Sequence, residues 1–217
     1  MYLLVKNISK SFKSSNKEVQ VLDDISLNIK KGQIITIFGH SGVGKTTLLN
    51  IVGGLIKPDS GCVKINNKIV DVSINSHKIS YLFQKDNLLL EFTVLENMIL
   101  PLIIDGNSYR KARSKVNKLL DMIDLLHLID RYPKELSIGE IQRISLLRCF
   151  TADPEVIIAD EPTANLDENN CKQLLNLLVK LNKEFRITYI IASHDLRFKN
   201  ISNKTYNLFN GVINRDE

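Results

Sequence analysis

Gly39-His40-Ser41-Gly42-Val43-Gly44-Lys45-Thr46-Thr47 (GHSGVGKTT), set between the apolar run Ile34 to Phe38 and a helical pattern from Thr47 to Val52, decides how the rest of the chain is read. Glycines at positions 39, 42 and 44 let the backbone curl tightly and turn several N–H groups inward. Lys45 then stands where its ammonium reaches β- and γ-phosphates, and the Thr46 hydroxyl where it ligates Mg²⁺. The helix that follows aims its positive end at the same point. The strand before and the helix after are the context a phosphate-binding loop requires, so all nine residues are candidates for nucleotide contact.

Outward from this loop, the remaining chemistry-bearing residues stand where apolar runs stop. Val156 to Ala159 is a short buried-strand run ending in Asp160-Glu161. Arg186 to Ala192 ends in Ser193-His194-Asp195, and Ile79 to Phe83 ends at Gln84. In an open, mostly parallel sheet, ligands bind beyond the carboxyl ends of the strands, so these residues are expected to converge on one crevice. A carboxylate at Asp160 suits the metal-site role beside Lys45 and Thr46. Glu161 suits a general base that deprotonates water, a role worth roughly 10²–10⁴ in rate. A lone histidine is more often structural, but the strand-end position of His194 favours a bond to the γ-phosphate or the attacking water. Gln84 would report metal or water occupancy to the helical block that begins beside it.

The expected fold is α/β, a phosphate-loop core with a mostly parallel sheet. Tyr2 to Ile8 and Val19 to Ile29 are rich in β-formers and predict a small N-terminal antiparallel sheet. Phe12, in the polar stretch KSFKSS, reads equally as a lone surface ring in a loop or as a stacking platform for a base. Strands are expected at Cys62 to Ile65 and Ile79 to Phe83. From about 85 to 150 the pattern is helical, in TVLENMILPLII, SYRKARSKVNKLLDMIDLL and ELSIGEIQRISLLRCF, which predicts an inserted helical subdomain. A helix around Asn169 to Glu184 follows, and a hairpin turns at Asn210-Gly211. Ser137-x-x-Glu140 reads as a capping box and also as an anion site at a helix start; both can hold at once.

Composition narrows the class. The 217 residues, 44% hydrophobic, suffice for one sizeable core and predict a single domain over 1–217. No apolar stretch approaches the ~18 residues of a membrane span, and the first nine residues are too polar for a signal peptide, which predicts a cytosolic chain unless a partner holds it at a membrane. Cys62, Cys149 and Cys171 are odd in number and widely spaced, against a disulfide framework or a zinc site. The net charge of +5 is spread among acidic residues without an aromatic-studded basic stripe, so a solvated surface is expected and nucleic acid is not.

Taken in order, the phosphate loop, Gln84, LSIGEIQR (Leu136 to Arg143), VIIADEP (Val156 to Pro162), ANLD (Ala164 to Asp167) and His194 resemble the nucleotide-binding subunit of an ABC transporter over essentially the whole chain. The resemblance implies ATP with Mg²⁺, Phe12 stacked on adenine, Gln84 as the coupling-loop glutamine and a metal contact with Thr46 and Asp160. It further implies Glu161 as catalytic base, Asp167 in a dimer-contact loop and His194 as the switch histidine. Ser137, Gly139 and Glu140 would cover the ATP of a second copy in a head-to-tail homodimer. The helical block would dock on a membrane permease, holding the chain at the cytoplasmic face of the inner membrane and only through that permease. One position departs from the family pattern: Ile138 stands where a first glycine is usual, which is tolerable if position 138 is helical and costly if its φ is positive. Within the family, the chain is most similar to the lipoprotein-releasing, macrolide-exporting and cell-division group, and ADEPTANLD with Gly139-Glu140 leans to the lipoprotein-releasing branch. The alternative implied by the same group is a regulatory ATPase that signals across the membrane without transporting anything.

Overall fold

The computed structural model describes residues 2–14, 17–71, 79–83 and 88–215. Two sheets carry the fold. The first is antiparallel, in the order β2 (Lys17–Ile29), β1 (Leu3–Ser14), β4 (Ser60–Ile65), β5 (Lys68–Ile69). The second has six strands in the order β10 (Val212–Arg215), β9 (Lys204–Phe209), β3 (Ile34–Phe38), β8 (Thr188–Ala192), β7 (Val156–Asp160), β6 (Ile79–Leu82). Its pairs from β9 through β6 are parallel, and β10 folds back antiparallel. The fold class expected from the sequence therefore holds, and the strand before the phosphate loop lies in mid-sheet.

The parallel strands read as continuous apolar runs because both of their faces are covered. Ile34 and Phe38 of β3, Ile157 and Ala159 of β7, and Tyr189 and Ile191 of β8 point into one core, against α2 (Val94–Ile104), α4 (Ile138–Thr151) and α5 (Glu168–Phe185). Ile35 and Ile37, Val156 and Ile158, and Ile190 and Ala192 point into the other, shared with the antiparallel sheet and α1 (Lys45–Val52). The period-2 alternation of a strand thus places a core on each side of the sheet.

Three sequence expectations are corrected. Phe12 lies within β1, paired with Val19, and not in a loop; the β1–β2 ribbon is largely exposed near its turn, so no apolar alternation marks it in the sequence. The helix expected through Leu126 is α3 (Tyr109–Asp121), which stops early because Asp124 turns left-handed at φ 60° and Leu125 N–H returns to the Leu120 carbonyl. Arg186 belongs to the C-cap of α5 at φ 52°, so β8 begins at Thr188. The hairpin at Asn210-Gly211 is present, with φ 48° and 78° at its two turn residues, the combination a type I′ turn demands.

Candidate nucleotide site

A cleft of about 640 Å³ opens over the carboxyl ends of β3, β7 and β8. Its floor is the phosphate loop: Gly39, His40, Ser41, Gly42, Gly44, Lys45, Thr46 and Thr47 all line it. Gly44 takes φ 109°, open to glycine and strained for a side chain, and this kink starts α1 with Lys45 as its first residue. Val43 is not among the residues lining the cleft, and its side chain packs against the second core, where it crowds the space a Gly39 Cβ would need. Phe12 and Val21, from β1 and β2, form the opposite wall. Phe12 is 40% exposed, and the Lys10 ammonium lies over its ring, 5.5 Å from the centroid.

Five polar side chains meet above the floor. The buried Lys45 donates to the Gly39 carbonyl at 2.7 Å and the His40 carbonyl at 3.2 Å, and its Nζ lies 3.3 Å from Glu161 Oε1. The other Glu161 oxygen shares a 2.9 Å hydrogen bond with His194 Nδ1 and accepts the His194 backbone N–H at 3.3 Å. Glu161 adopts φ 47°, a left-handed conformation costing a non-glycine residue on the order of 1 kcal/mol. Its own N–H bonds the Ala192 carbonyl at 2.9 Å, tying the turn after β7 to the end of β8. Thr46 Oγ1 donates to Asp160 Oδ2 at 2.6 Å. Burial pushes the Asp160 carboxyl above the ordinary carboxylate range, and the neighbouring Glu161 charge adds to this, against the Thr46 hydrogen bond and Lys45.

The donor set tests the Mg²⁺ expectation. Thr46 and Asp160 place a hydroxyl and a carboxylate side by side, with a cation favoured beside a buried carboxyl. Two protein oxygens fall short of the roughly six that Mg²⁺ requires, so phosphate and water must complete the shell. In agreement, the described residues contain no cluster of three or more His, Cys, Asp or Glu able to hold a metal alone. The residues present fit Mg²⁺ that arrives with a nucleotide.

The remaining candidates lie elsewhere. Ser137, Gly139, Glu140 and Asp167 do not line the cleft. Ser137 caps α4: its N–H donates to Glu140 Oε2 at 2.8 Å, and Glu140 N–H donates to Ser137 Oγ at 3.3 Å. Ile138 is the first helical residue and is 58% exposed, so its β-branched side chain meets no backbone obstacle. Gly139 is held small by α5, since a Cβ there would lie 1.9 Å from the Asn170 side-chain oxygen. Asp167 caps α5 through Asn170 N–H at 2.8 Å. Gln84 lies outside the described residues.

Sequence reasoning missed Val21, which no motif marks, and Gln142, whose buried side chain donates to the Pro162 carbonyl at 2.9 Å. Gln142 thereby joins α4 to the turn just after Glu161. It also missed Asp195, adjacent to His194, which accepts a hydrogen bond from Thr163 at 3.0 Å.

Comparison with known proteins agrees with this geometry. Residues 22–164 match the family model described as ABC transporter. The chain is 41% identical to the lipoprotein-releasing system ATP-binding protein LolD of Blochmanniella floridana, over 97% of this chain and 93% of that protein. It is 39% identical to the LolD protein of Saccharophagus degradans, over 96% and 95%. Among solved structures, the dimeric post-hydrolysis state of the ATP-binding cassette MJ0796 bound to ADP and Pi superposes with a TM-score of 0.88 at 33% identity, covering 99% of this chain and 97% of that one.

Proposed function

The chain belongs to the ABC transporter family, and from that premise we propose that it is the ATP-hydrolysing subunit of a lipoprotein-releasing system, acting as one domain over its whole length. The observation that carries the catalytic part is the convergence of Lys45, Glu161 and His194 on one cleft from three separate stretches of chain. Lys45 binds the β- and γ-phosphates of ATP, exchanging its present carbonyl and carboxylate partners for phosphate oxygens. Glu161, released from Lys45, accepts a proton from a water molecule as that oxygen attacks the γ-phosphorus. The bond to the bridging oxygen breaks and its electron pair leaves with ADP. His194 holds the Glu161 carboxylate in place and faces the γ-phosphate, and Phe12 stacks on the adenine. Thr46 and Asp160 would hold Mg²⁺, an ion that would neutralise phosphate charge; the family resemblance adds Gln84, which lies outside the described residues, to that set.

Ser137, Gly139, Glu140 and Asp167 act on a second copy. They lie outside this chain's own cleft, and in a head-to-tail homodimer each α4 start would cover the nucleotide on the other subunit; that solved relatives are dimeric supports a homodimer. No described helix is long and apolar enough to cross a membrane, and attachment to the cytoplasmic face of the inner membrane runs through permease subunits. The permease seat is the exposed apolar trio Leu89, Leu90 and Phe92. The fully buried Asn97 holds that segment rigid, accepting Leu89 N–H at 2.7 Å and donating to the Leu89, Phe92 and Thr93 carbonyls.

The test is a pull-down of tagged Glu161→Gln chain from native membranes with ATP, followed by lipoprotein release from proteoliposomes holding the permease so identified together with the wild-type chain. A permease with a large extracytoplasmic domain and ATP-dependent release by the wild-type complex are expected. Recovery of division proteins instead would move the chain to transmembrane signalling.

A further inference from the structure

Glu161 and His194 sit on two different turns, one after β7 and one after β8, joined where the Glu161 N–H meets the Ala192 carbonyl and again by the Glu161–His194 bonds, while the residues that follow each turn are held by other contacts. A second and more enclosed set of side chains lies directly behind them. Thr163, two residues after Glu161 and 7% exposed, donates Oγ1 to Asp195 Oδ2 at 3.0 Å. Asp195, next to His194, accepts Arg197 Nε at 2.8 and 3.0 Å on its two oxygens, and Arg197 Nη2 lies 2.8 Å from Oδ2. Arg197 Nη2 also reaches Cys171 Sγ on α5 at 3.2 Å, and that sulfur lies 3.6 Å from the Leu166 carbonyl in the turn leading to Asp167. The chain of contacts therefore runs from the Glu161 turn, through Asp195 and Arg197, to the start of α5.

Asp195 has an ordinary structural duty: Oδ1 accepts Arg197 N–H at 3.0 Å and caps the short 3-10 turn Leu196–Asn200. That duty uses one oxygen. The second is aimed at Thr163 and held there by a charge-assisted fork, a stronger and more directional arrangement than a neutral cap needs. Burial pushes the Asp195 carboxyl up, but the Arg197 and Thr163 hydrogen bonds outweigh it and leave the group below the ordinary carboxylate range, so the fork is charged near neutral pH.

We propose that Asp195, oriented by Arg197 and bonded to Thr163, is a positioning residue that sets the distance between the Glu161 and His194 turns. It does not line the cleft and acts only through Glu161 and His194. The proposal rests on the roles given to those two residues above. A misplacement of about 1 Å at a general base costs about 10²-fold in rate, so a partial loosening is expected to cost about tenfold.

The test is steady-state ATP hydrolysis with direct ATP binding and thermal melting, on the full-length chain with its permease. Thr163→Val removes the hydroxyl at constant shape, and Asp195→Asn keeps a capping oxygen while discharging the fork. Each is expected to lower kcat about tenfold with the ATP Kd within about twofold, and Thr163→Ser to restore kcat to within about threefold of wild type. In a Glu161→Gln background Thr163→Val is expected to cause no further loss, which a merely structural role would not give. Wild-type kcat in both variants, an equal loss in Thr163→Ser, or a further tenfold loss in the Glu161→Gln background would overturn the proposal. Should Asp195→Asn alone fold, the same three readings on that variant decide. Near-normal hydrolysis by Glu161→Gln itself would instead remove the base assignment; a slow Glu161→Gln beside normal Thr163→Val and Asp195→Asn removes only the positioning role.

Discussion

The phosphate-loop side and the α4 side of this molecule are built on opposite principles. Around the loop, polar groups from β3, β7 and β8 are drawn into one another: Lys45 is buried against carbonyls and Glu161, and Thr46 is bonded to Asp160. At the start of α4, Ser137 and Glu140 satisfy only each other, and Ile138 stands in solvent. The first arrangement is a site preassembled by the sheet. The second is a helix end whose capping groups bond each other and do not line the cleft. In the proposed homodimer these are two complementary halves, and the completed site would form between copies.

The sharpest way to break the comparison is at the preassembled half. Glu161→Gln is expected to bind ATP and to lose turnover by about 10²-fold or more, measured by phosphate release. Near-normal release would take the chemistry away from this half. The next experiment joins the halves: a Lys45→Ala chain mixed with a Ser137→Arg chain, each inactive alone. In a 1:1 mixture half the dimers pair one of each, and each of those has one sound composite site, so roughly a quarter of wild-type activity is expected. No recovery would mean that the α4 half does not act across copies.

A smaller effect is expected at Ile138. Helical geometry makes the residue harmless to the fold, so Ile138→Gly should alter the melting temperature little; hydrolysis should rise about twofold to tenfold if the side chain props the two copies apart. Unchanged turnover would remove Ile138 as a rate limit. The smallest effect concerns the cap itself. Hydrogen bonds from the Ser137 hydroxyl and backbone hold the Glu140 carboxyl below its ordinary range. The cap thus contributes stability above the ordinary glutamate range and loses it as pH falls through the depressed value. Urea midpoints from about pH 7 to about pH 3 should fall less steeply for Glu140→Gln than for the wild type.

The two halves were also unequally legible. Asp160, Glu161 and His194 stand out because parallel strands buried on both faces read as unbroken apolar runs, and polar residues at their ends are conspicuous. Phe12 was misplaced because the β1–β2 ribbon exposes most of its side chains near the turn, leaving no alternation to read. Thr163, Asp195 and Arg197 carry no motif. Asp195 was visible beside His194, but its partner Thr163 lies 32 positions away and becomes a neighbour only through the β7–β8 pairing.

Sequence alone determined the chemical inventory: a glycine-rich turn fit for phosphates, a lysine and a threonine after it, two carboxylates at one strand end and a histidine at another. Those assignments need only local backbone rules and the contrast between apolar runs and their polar ends. Tertiary structure decided which of these groups share a cleft. The parallel register sets Asp160 beside Ala192, and the Glu161 N–H closes on the Ala192 carbonyl, bringing Glu161 and His194 within 2.9 Å. It also decided that Val43 turns to the core and that Ser137 and Glu140 face away. The physical reason is that strand order and register come from the sum of many buried apolar contacts across the whole sheet, which no short stretch of sequence contains.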